Sequence, residues 1–307
     1  MKNILIATEK PFDGRVVQQM KEEVERQSDY RLTILEKYTD KAALLEAAAK
    51  AEALIIRSDK IDREVIEAAK NLKIIVRAGA GYDNVDLEAA TENNIVVMNT
   101  PGQNSNAVAE LVFGLMLTVA RNKYGGTSGH ELRGKTIGLQ GYGNIGKYVA
   151  VIAKGFGMKV KAFDPFVVNF AIDADGIDVT KSVEELYQGS DFISLQFPAN
   201  ETTTKSVNYN LLKNLKGGAT VINTARKEII DEEGMLQIMA DRPDIKYVAD
   251  ITPDAKAEFE EKFMDRVFFT TKKMGAQTFE ANLNAGMAAV NQIHKFFEID
   301  DRTFQVN

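Results

Sequence analysis

The stretch from Lys135 to Asp164 restricts the fold more than any other part of the chain. Thr136–Gln140 is a short, mostly apolar run, as a strand buried in a parallel sheet requires. It leads into Gly141, Tyr142, Gly143, Asn144, Ile145 and Gly146, a G-x-G-x-x-G sequence. Ile145, Val149, Ile152 and Phe156 then recur at helical spacing, so the loop opens a helix with one apolar face. Val160–Phe163 reads as the next strand, closed by Asp164. In such a unit one glycine permits the tight turn, the next lets backbone N–H groups approach a pyrophosphate, and the third lets helix and strand pack closely. Gly141 to Gly146 are therefore candidate cofactor-binding residues. Asp164 lies about 20 residues beyond the loop, where a carboxylate accepts from adenosine ribose hydroxyls. It repels a 2′-phosphate, which points to NAD rather than NADP. Glycines alone also mark ordinary turns; strand, helix and acid at these spacings carry the dinucleotide reading.

The 307 residues suffice for two domains of ordinary size. A net charge of −6 supplies no basic field for nucleic acid or anionic membranes, so neither is expected as a partner. The first residues run straight into the strand-like Asn3–Ala7, so no signal peptide is expected, and no apolar stretch is long enough to span a bilayer. The cytoplasm is the expected location. With no cysteine, disulfides, thiolate catalysis and thiol-bound zinc are excluded. With only His130 and His294, no metal site is expected.

Short apolar strands alternate with helical segments through the chain, the pattern of α/β folds with doubly wound parallel sheets. Strands are expected at Asn3–Ala7, Leu32–Leu35, Ala53–Arg57, Lys73–Arg77 and Ile95–Met98, and again from Phe192 to Thr270. Ligands of open parallel sheets sit beyond the carboxyl ends of strands. Four such ends carry polar groups: Arg57-Ser58, Arg77 with Ala78-Gly79-Ala80-Gly81, Asn223 to Arg226, and Asp250. Arginine presents a planar fork that matches a carboxylate in two parallel hydrogen bonds. The helix expected over 106–121 is apolar almost all round from Val108 to Ala120, which suits burial inside the domain or, as the favoured expectation, against a second subunit.

Several of these runs together resemble the D-isomer-specific 2-hydroxyacid dehydrogenases over essentially the whole chain. They are Ile56-Arg57-Ser58, Arg77 to Asp86, Asn99-Thr-Pro with Asn104-Ser and Ala109-Glu-Leu, Gly134-Lys-Thr-Ile-Gly with the glycine loop, Asn223-Thr-Ala-Arg226, Asp231-Glu and Met274-Gly-Ala276. Within the family the nearest likeness is to the branch acting on 3-phospho-D-glycerate. The resemblance implies two Rossmann-like domains with a cleft between them. Residues 1–98 plus 278–307 would form a flavodoxin-like substrate domain, and 99–277 an NAD-binding domain that mediates a homodimer. It gives Arg226 the role of gripping the substrate carboxylate and the reacting carbonyl. Arg57, and with it Arg77, would bind the phosphate of a small anionic substrate, the backbone of Ala78, Gly79, Ala80 and Gly81 would contact its carboxylate, and Ser58 and Asn104 would also line the substrate. Thr224, Ala225, Phe197, Pro198, Asp250, Gly275 and Ala276 would line the cofactor, with Phe197 on the adenine side.

One departure bears on the chemistry. The family's Thr-Pro-His-x-Gly-Ala run is here Thr271-Lys272-Lys273-Met274-Gly275-Ala276, so Lys273 stands at the general acid/base position. The glutamate that pairs with that histidine is replaced by Ala255, with Asp254 beside it. A lysine acts as a base near neutral pH when burial and a nearby cation, here Arg226, bring its pKa well below ~10.4. A paired glutamate would do the opposite, so the two changes are consistent with each other. The expectation is an NAD-dependent dehydrogenase with Lys273 and Arg226 as its catalytic residues. Two alternatives stand beside it: a reductase of another 2-keto acid such as glyoxylate or hydroxypyruvate, and a non-catalytic NAD(H)-sensing binding protein.

Overall fold

Parallel strands with helical crossovers run the length of the chain in a computed structural model that describes all 307 residues. They form two units, Met1–Asn104 with Thr278–Asn307, and Ser105–Gln277. The first unit holds strands β1 (Lys2–Thr8), β2 (Tyr30–Glu36), β3 (Ala53–Ile56), β4 (Ile74–Arg77) and β5 (Val96–Asn99). Helices α1 (Gly14–Glu25), α2 (Lys41–Ala48), α3 (Arg63–Ala68) and α4 (Leu87–Glu92) connect them. The second unit runs α5 (Ser105–Ala120), β6 (Thr136–Gln140), α6 (Asn144–Gly155), β7 (Lys159–Phe163), α7 (Asn169–Ala174), β8 (Asp178–Val179) and α8 (Val183–Gln188). It continues with β9 (Phe192–Leu195), α9 (Tyr209–Leu212), β10 (Thr220–Asn223), α10 (Glu232–Asp241), β11 (Lys246–Ala249), α11 (Lys256–Phe263) and β12 (Val267–Phe269). Helix α12 (Phe279–Ile299) belongs to the first unit.

The first sheet has the order β2-β1-β3-β4-β5, every pair parallel. The second has the order β12-β11-β10-β9-β6-β7-β8, again all parallel. Strands β3, β5, β9 and β10 are buried at every residue, because helices cover both faces of each sheet. In the first unit Asp13, Asp40, Asp62 and Asp86 cap α1 to α4 through their side chains, so each crossover helix begins at an aspartate. Each sheet reverses winding once, between β1 and β3 and between β6 and β9. Those are the places where open α/β sheets bind ligands.

The first unit extends to Asn104 rather than ending at Met98, because Thr100 N–H donates to Gly79 C=O and Asn99 Nδ2 to Ala80 C=O. Helix α5 packs on α6, β10, β11 and β12, and Phe113 stacks on Phe156 with ring centroids 5.0 Å apart. Most of its apolar surface is thus covered by its own unit, while Leu111, Gly114, Leu117 and Thr118 stay partly or fully exposed along one side. Elements α7, β8, α8 and α11 carry too little apolar periodicity to be expected from sequence; α7 buries Ile172 alone.

Candidate active site

The glycine loop shows why each glycine is there. Gly141 has φ +101°, and a Cβ on it would stand 2.5 Å from the Gln196 carbonyl oxygen. A Cβ on Gly146 would stand 2.6 Å from the Gly141 carbonyl oxygen. Gly143 has open space before it and caps α6 without a side chain. The N–H groups of Asn144, Ile145 and Gly146 precede the first bond of that helix, Lys147 N–H to Gly143 C=O at 3.1 Å. These donors and the positive end of α6 fit a pyrophosphate. Gln196 adds a buried Oε1 with no partner beside the loop, while its Nε2 donates to Ser194 Oγ and Thr224 Oγ1, both at 2.9 Å.

Asp164 ends β7 as expected, but its carboxylate also closes the loops around it. Oδ2 accepts from Tyr142 N–H at 2.7 Å, and Oδ1 from Phe166 and Val167 N–H at 2.9 and 3.2 Å. A ribose hydroxyl would share this carboxylate, which offers about four acceptor sites. Within the loop, the Tyr142 N–H is engaged by Asp164, and its side chain, 2% exposed, is a core residue. Its hydroxyl donates to Asp175, and burial together with that carboxylate raises its pKa. Phe197 is half-buried against the apolar cluster beneath β9 and β10, and Pro198 is exposed.

The turn after β10 is built by Asn223, which is fully buried. Its Nδ2 donates to Arg226 C=O at 2.8 Å and its Oδ1 accepts from Ala225 N–H at 3.0 Å. The Ala225 carbonyl then accepts from Arg226 Nη1 at 3.0 Å and from Lys273 Nζ at 3.3 Å. Guanidinium and ammonium thus meet at one oxygen. Asp250, also fully buried, holds the other side. Its Oδ1 accepts from Met274 N–H at 2.7 Å and Thr270 Oγ1 at 3.1 Å, and its Oδ2 from Gly275 N–H at 2.7 Å. Both oxygens therefore set the loop next to Lys273. Gly275 is closely packed: a Cβ would be 3.0 Å from Asp250 Oδ2. Asp254 pairs with Lys227 at 2.6 Å, which raises the Lys227 pKa. Of the two influences expected on Lys273, the Arg226 cation is in place. Burial is not, because Lys273 is exposed.

In the first unit Arg57 is half-buried beyond β3 and Ser58 is exposed. Arg77 Nε donates to Arg57 C=O at 3.0 Å. The Arg77 guanidinium lies against Gly79, whose Cβ would fall 1.5 Å from Nη1, at φ +149°. Gly79 and Ala80 carbonyls are engaged by Thr100 N–H at 3.0 Å and Asn99 Nδ2 at 2.7 Å. The neighbouring N–H groups of Ala80 and Gly81 donate to no protein group, which suits a bound anion. Asn104 is half-buried at the end of the unit. Asn223 and Gln196 were not singled out as site residues from sequence. The available signal was a polar amide ending an otherwise apolar strand.

Residues 8–307 match the family described as D-isomer specific 2-hydroxyacid dehydrogenase, catalytic domain. A hydroxypyruvate reductase of Thermotoga maritima is 36% identical over 284 residues, 86% of this chain and 90% of that protein. A D-3-phosphoglycerate dehydrogenase of Methanocaldococcus jannaschii is 36% identical over 277 residues, 83% of this chain and 51% of its own length, so the chain spans about half of that relative. The crystal structure of a cofactor (NAD+)-bound 3-phosphoglycerate dehydrogenase in Entamoeba histolytica superposes with a TM-score of 0.89 at 45% identity, covering 100% of this chain and 98% of that one. With the glycine loop, the two switch points and the Arg226–Lys273 pair, these matches lead to one assignment: the chain belongs to the D-isomer-specific 2-hydroxyacid dehydrogenase family.

Proposed function

We propose that this NAD-dependent dehydrogenase oxidises 3-phospho-D-glycerate to 3-phosphohydroxypyruvate, the reaction that opens serine synthesis. The observation that carries the chemistry is the meeting of Arg226 and Lys273 at the Ala225 carbonyl. Bound NAD supplies the hydride acceptor for C2. Lys273 Nζ, as the neutral amine, takes the hydroxyl proton while the carbonyl forms. Arg226 binds the substrate carboxylate and the oxygen on which that carbonyl develops. The Arg226 guanidinium stands beside the lysine at the same carbonyl oxygen. Asp164 supports NAD over NADP by its charge. Ala80 and Gly81 N–H groups support carboxylate binding, with Ala78, Gly79 and Asn104 around them, and Arg57, Ser58 and Arg77 are assigned to the phosphate. Thr224, Ala225, Gly275 and Ala276 flank the nicotinamide end.

A homodimer through the NAD domain belongs to the same proposal and is tested by sedimentation equilibrium. No helix is long and apolar enough to cross a membrane, and the cytoplasm is the proposed location.

The test is NADH oxidation with 3-phosphohydroxypyruvate, wild type beside Lys273→Ala, from about pH 6 to about pH 10. Wild-type turnover with a loss of ~10²-fold or more in the variant supports lysine acid/base catalysis. NADH binding without turnover on any 2-keto acid would instead indicate a sensing protein. The hydroxypyruvate reductase relative, at the same 36% identity, favours a second reading, reduction of an unphosphorylated 2-keto acid. Arg57→Ala separates the two: it cripples use of the phosphorylated substrate and spares hydroxypyruvate if the phosphate is read there.

A further inference from the structure

Arg57 stands at the carboxyl end of β3, beside the loop that follows β1, at the switch point of the first sheet. Its own unit holds the guanidinium from three directions. Nη1 donates to the carbonyls of Lys10 at 3.3 Å and Pro11 at 3.1 Å. Nη2 donates to Asn282 Oδ1 at 2.6 Å. Cζ lies 4.9 Å from the centroid of the Phe12 ring. The Asn282 amide is itself oriented, since its Nδ2 donates to Thr278 C=O at 2.6 Å one turn back in α12. Arg15, paired with Asp13 at 2.9 Å, lies 4.3 Å from the Phe279 ring centroid and fastens the β1–α1 loop to the start of α12.

The charge of Arg57 is only partly offset, by the nearby Asp59 carboxylate. The guanidinium forms no ion pair with a carboxylate, and the Asp59 carboxylate is engaged by Glu9 N–H at 2.6 Å, Tyr38 Oη at 2.8 Å and Arg57 N–H at 3.3 Å. Burial disfavours the cation, yet a guanidinium stays charged in proteins. The three side-chain hydrogen bonds use three of its five donors. Nε–H and one Nη2–H remain, on the pair of nitrogens that takes an oxyanion in two parallel bonds.

We infer that Asn282 is a positioning residue that, with Phe12 and the Lys10 and Pro11 carbonyls, holds Arg57 ready for a phosphate oxyanion and so sets the preference for a phosphorylated 2-keto acid. This rests on the phosphoglycerate reading above. The experiment measures KM and kcat of the full chain for 3-phosphohydroxypyruvate and for hydroxypyruvate, with saturating NADH. It compares wild type, Asn282→Ala, Asn282→Asp and, as an independent variant, Phe12→Leu.

Asn282→Ala is expected to raise KM for the phosphorylated substrate roughly tenfold, the scale of one hydrogen bond to a charged group, with kcat within about twofold. Its KM for hydroxypyruvate stays unchanged. Asn282→Asp keeps an acceptor for Nη2 but sets an anion beside the phosphate, so its KM for the phosphorylated substrate rises further than that of Asn282→Ala. Phe12→Leu shows the same selective rise. A merely structural role raises KM for both substrates alike, or lowers kcat for both, and overturns the inference. So does an unchanged KM in the Asn282 variants of a wild type that prefers the phosphorylated substrate. A wild type without that preference removes the phosphoglycerate reading and the inference with it.

Discussion

Asn223 and Asp250 each use both ends of a buried side chain to hold a turn, and the two turns present Arg226 and Lys273. The strength of such contacts comes from what is lost when they break: a buried N–H left without an acceptor costs about 1–3 kcal/mol. Asp250→Asn retains one acceptor oxygen where the carboxylate offered two, so Met274 or Gly275 N–H is orphaned. We expect a stability loss of about 1–3 kcal/mol in urea denaturation, together with a fall in kcat as the loop beside Lys273 loosens. Intact kcat in a destabilised protein would separate the loop from the chemistry. At Asp164, replacement by serine removes the charge that opposes a 2′-phosphate. The ratio of kcat/KM for NADH over NADPH is expected to fall by roughly tenfold or more. An unchanged ratio would mean that specificity is read elsewhere.

Among the elements, α5 shows what an apolar pattern says and what it leaves open. Its composition announces burial on most sides, but several partners satisfy that demand equally. The structure supplies α6 and the second sheet, through contacts such as the Phe113–Phe156 stack. Phe113 is 3% exposed, so Phe113→Ala is expected to cost about 3–5 kcal/mol by denaturation of the isolated chain at low concentration. A cost that appears only at dimer-forming concentration would return α5 to the subunit interface. The main strands were legible because a buried parallel strand must be an unbroken apolar run, as β3 and β10 are. Edge elements such as β8 and α7 were not, since an edge strand of two residues and a helix with one buried side chain carry almost no period.

For the whole molecule, pH response includes a contribution from His294, 6% exposed in α12 with its ring 4.7 Å from that of Tyr30. Its Nε2 has no partner, and burial lowers its pKa below 6.5, against the opposing pull of Glu298 and Glu23. A depressed pKa means that the folded state binds the proton less readily than the unfolded chain. The stability tied to neutral His294 is therefore fully present above about pH 6.5 and declines as pH falls below it. Denaturation midpoints of wild type and His294→Phe on either side of that pH test this: the variant is expected to lose part of the acid-side decline. Parallel profiles would assign the decline to other groups.

Read by itself, the sequence determined the class of fold, two doubly wound parallel sheets, and the dinucleotide loop with its acid. It also located the four strand ends where the candidate residues lie. Those features are local: apolar runs, helical spacing and glycines forced by backbone geometry all act within about one βαβ unit of about 30 residues. The partnerships around the candidate residues are not local. Arg57 and Asn282 lie 225 positions apart, and Lys273 meets the carbonyl of a residue 48 positions earlier. The tertiary structure alone decided that Tyr142 N–H serves Asp164, that Asp254 turns to Lys227, and that Asp250 holds the loop before Gly275. Which strand ends become neighbours depends on strand order and crossovers, and only the packed sheets set those.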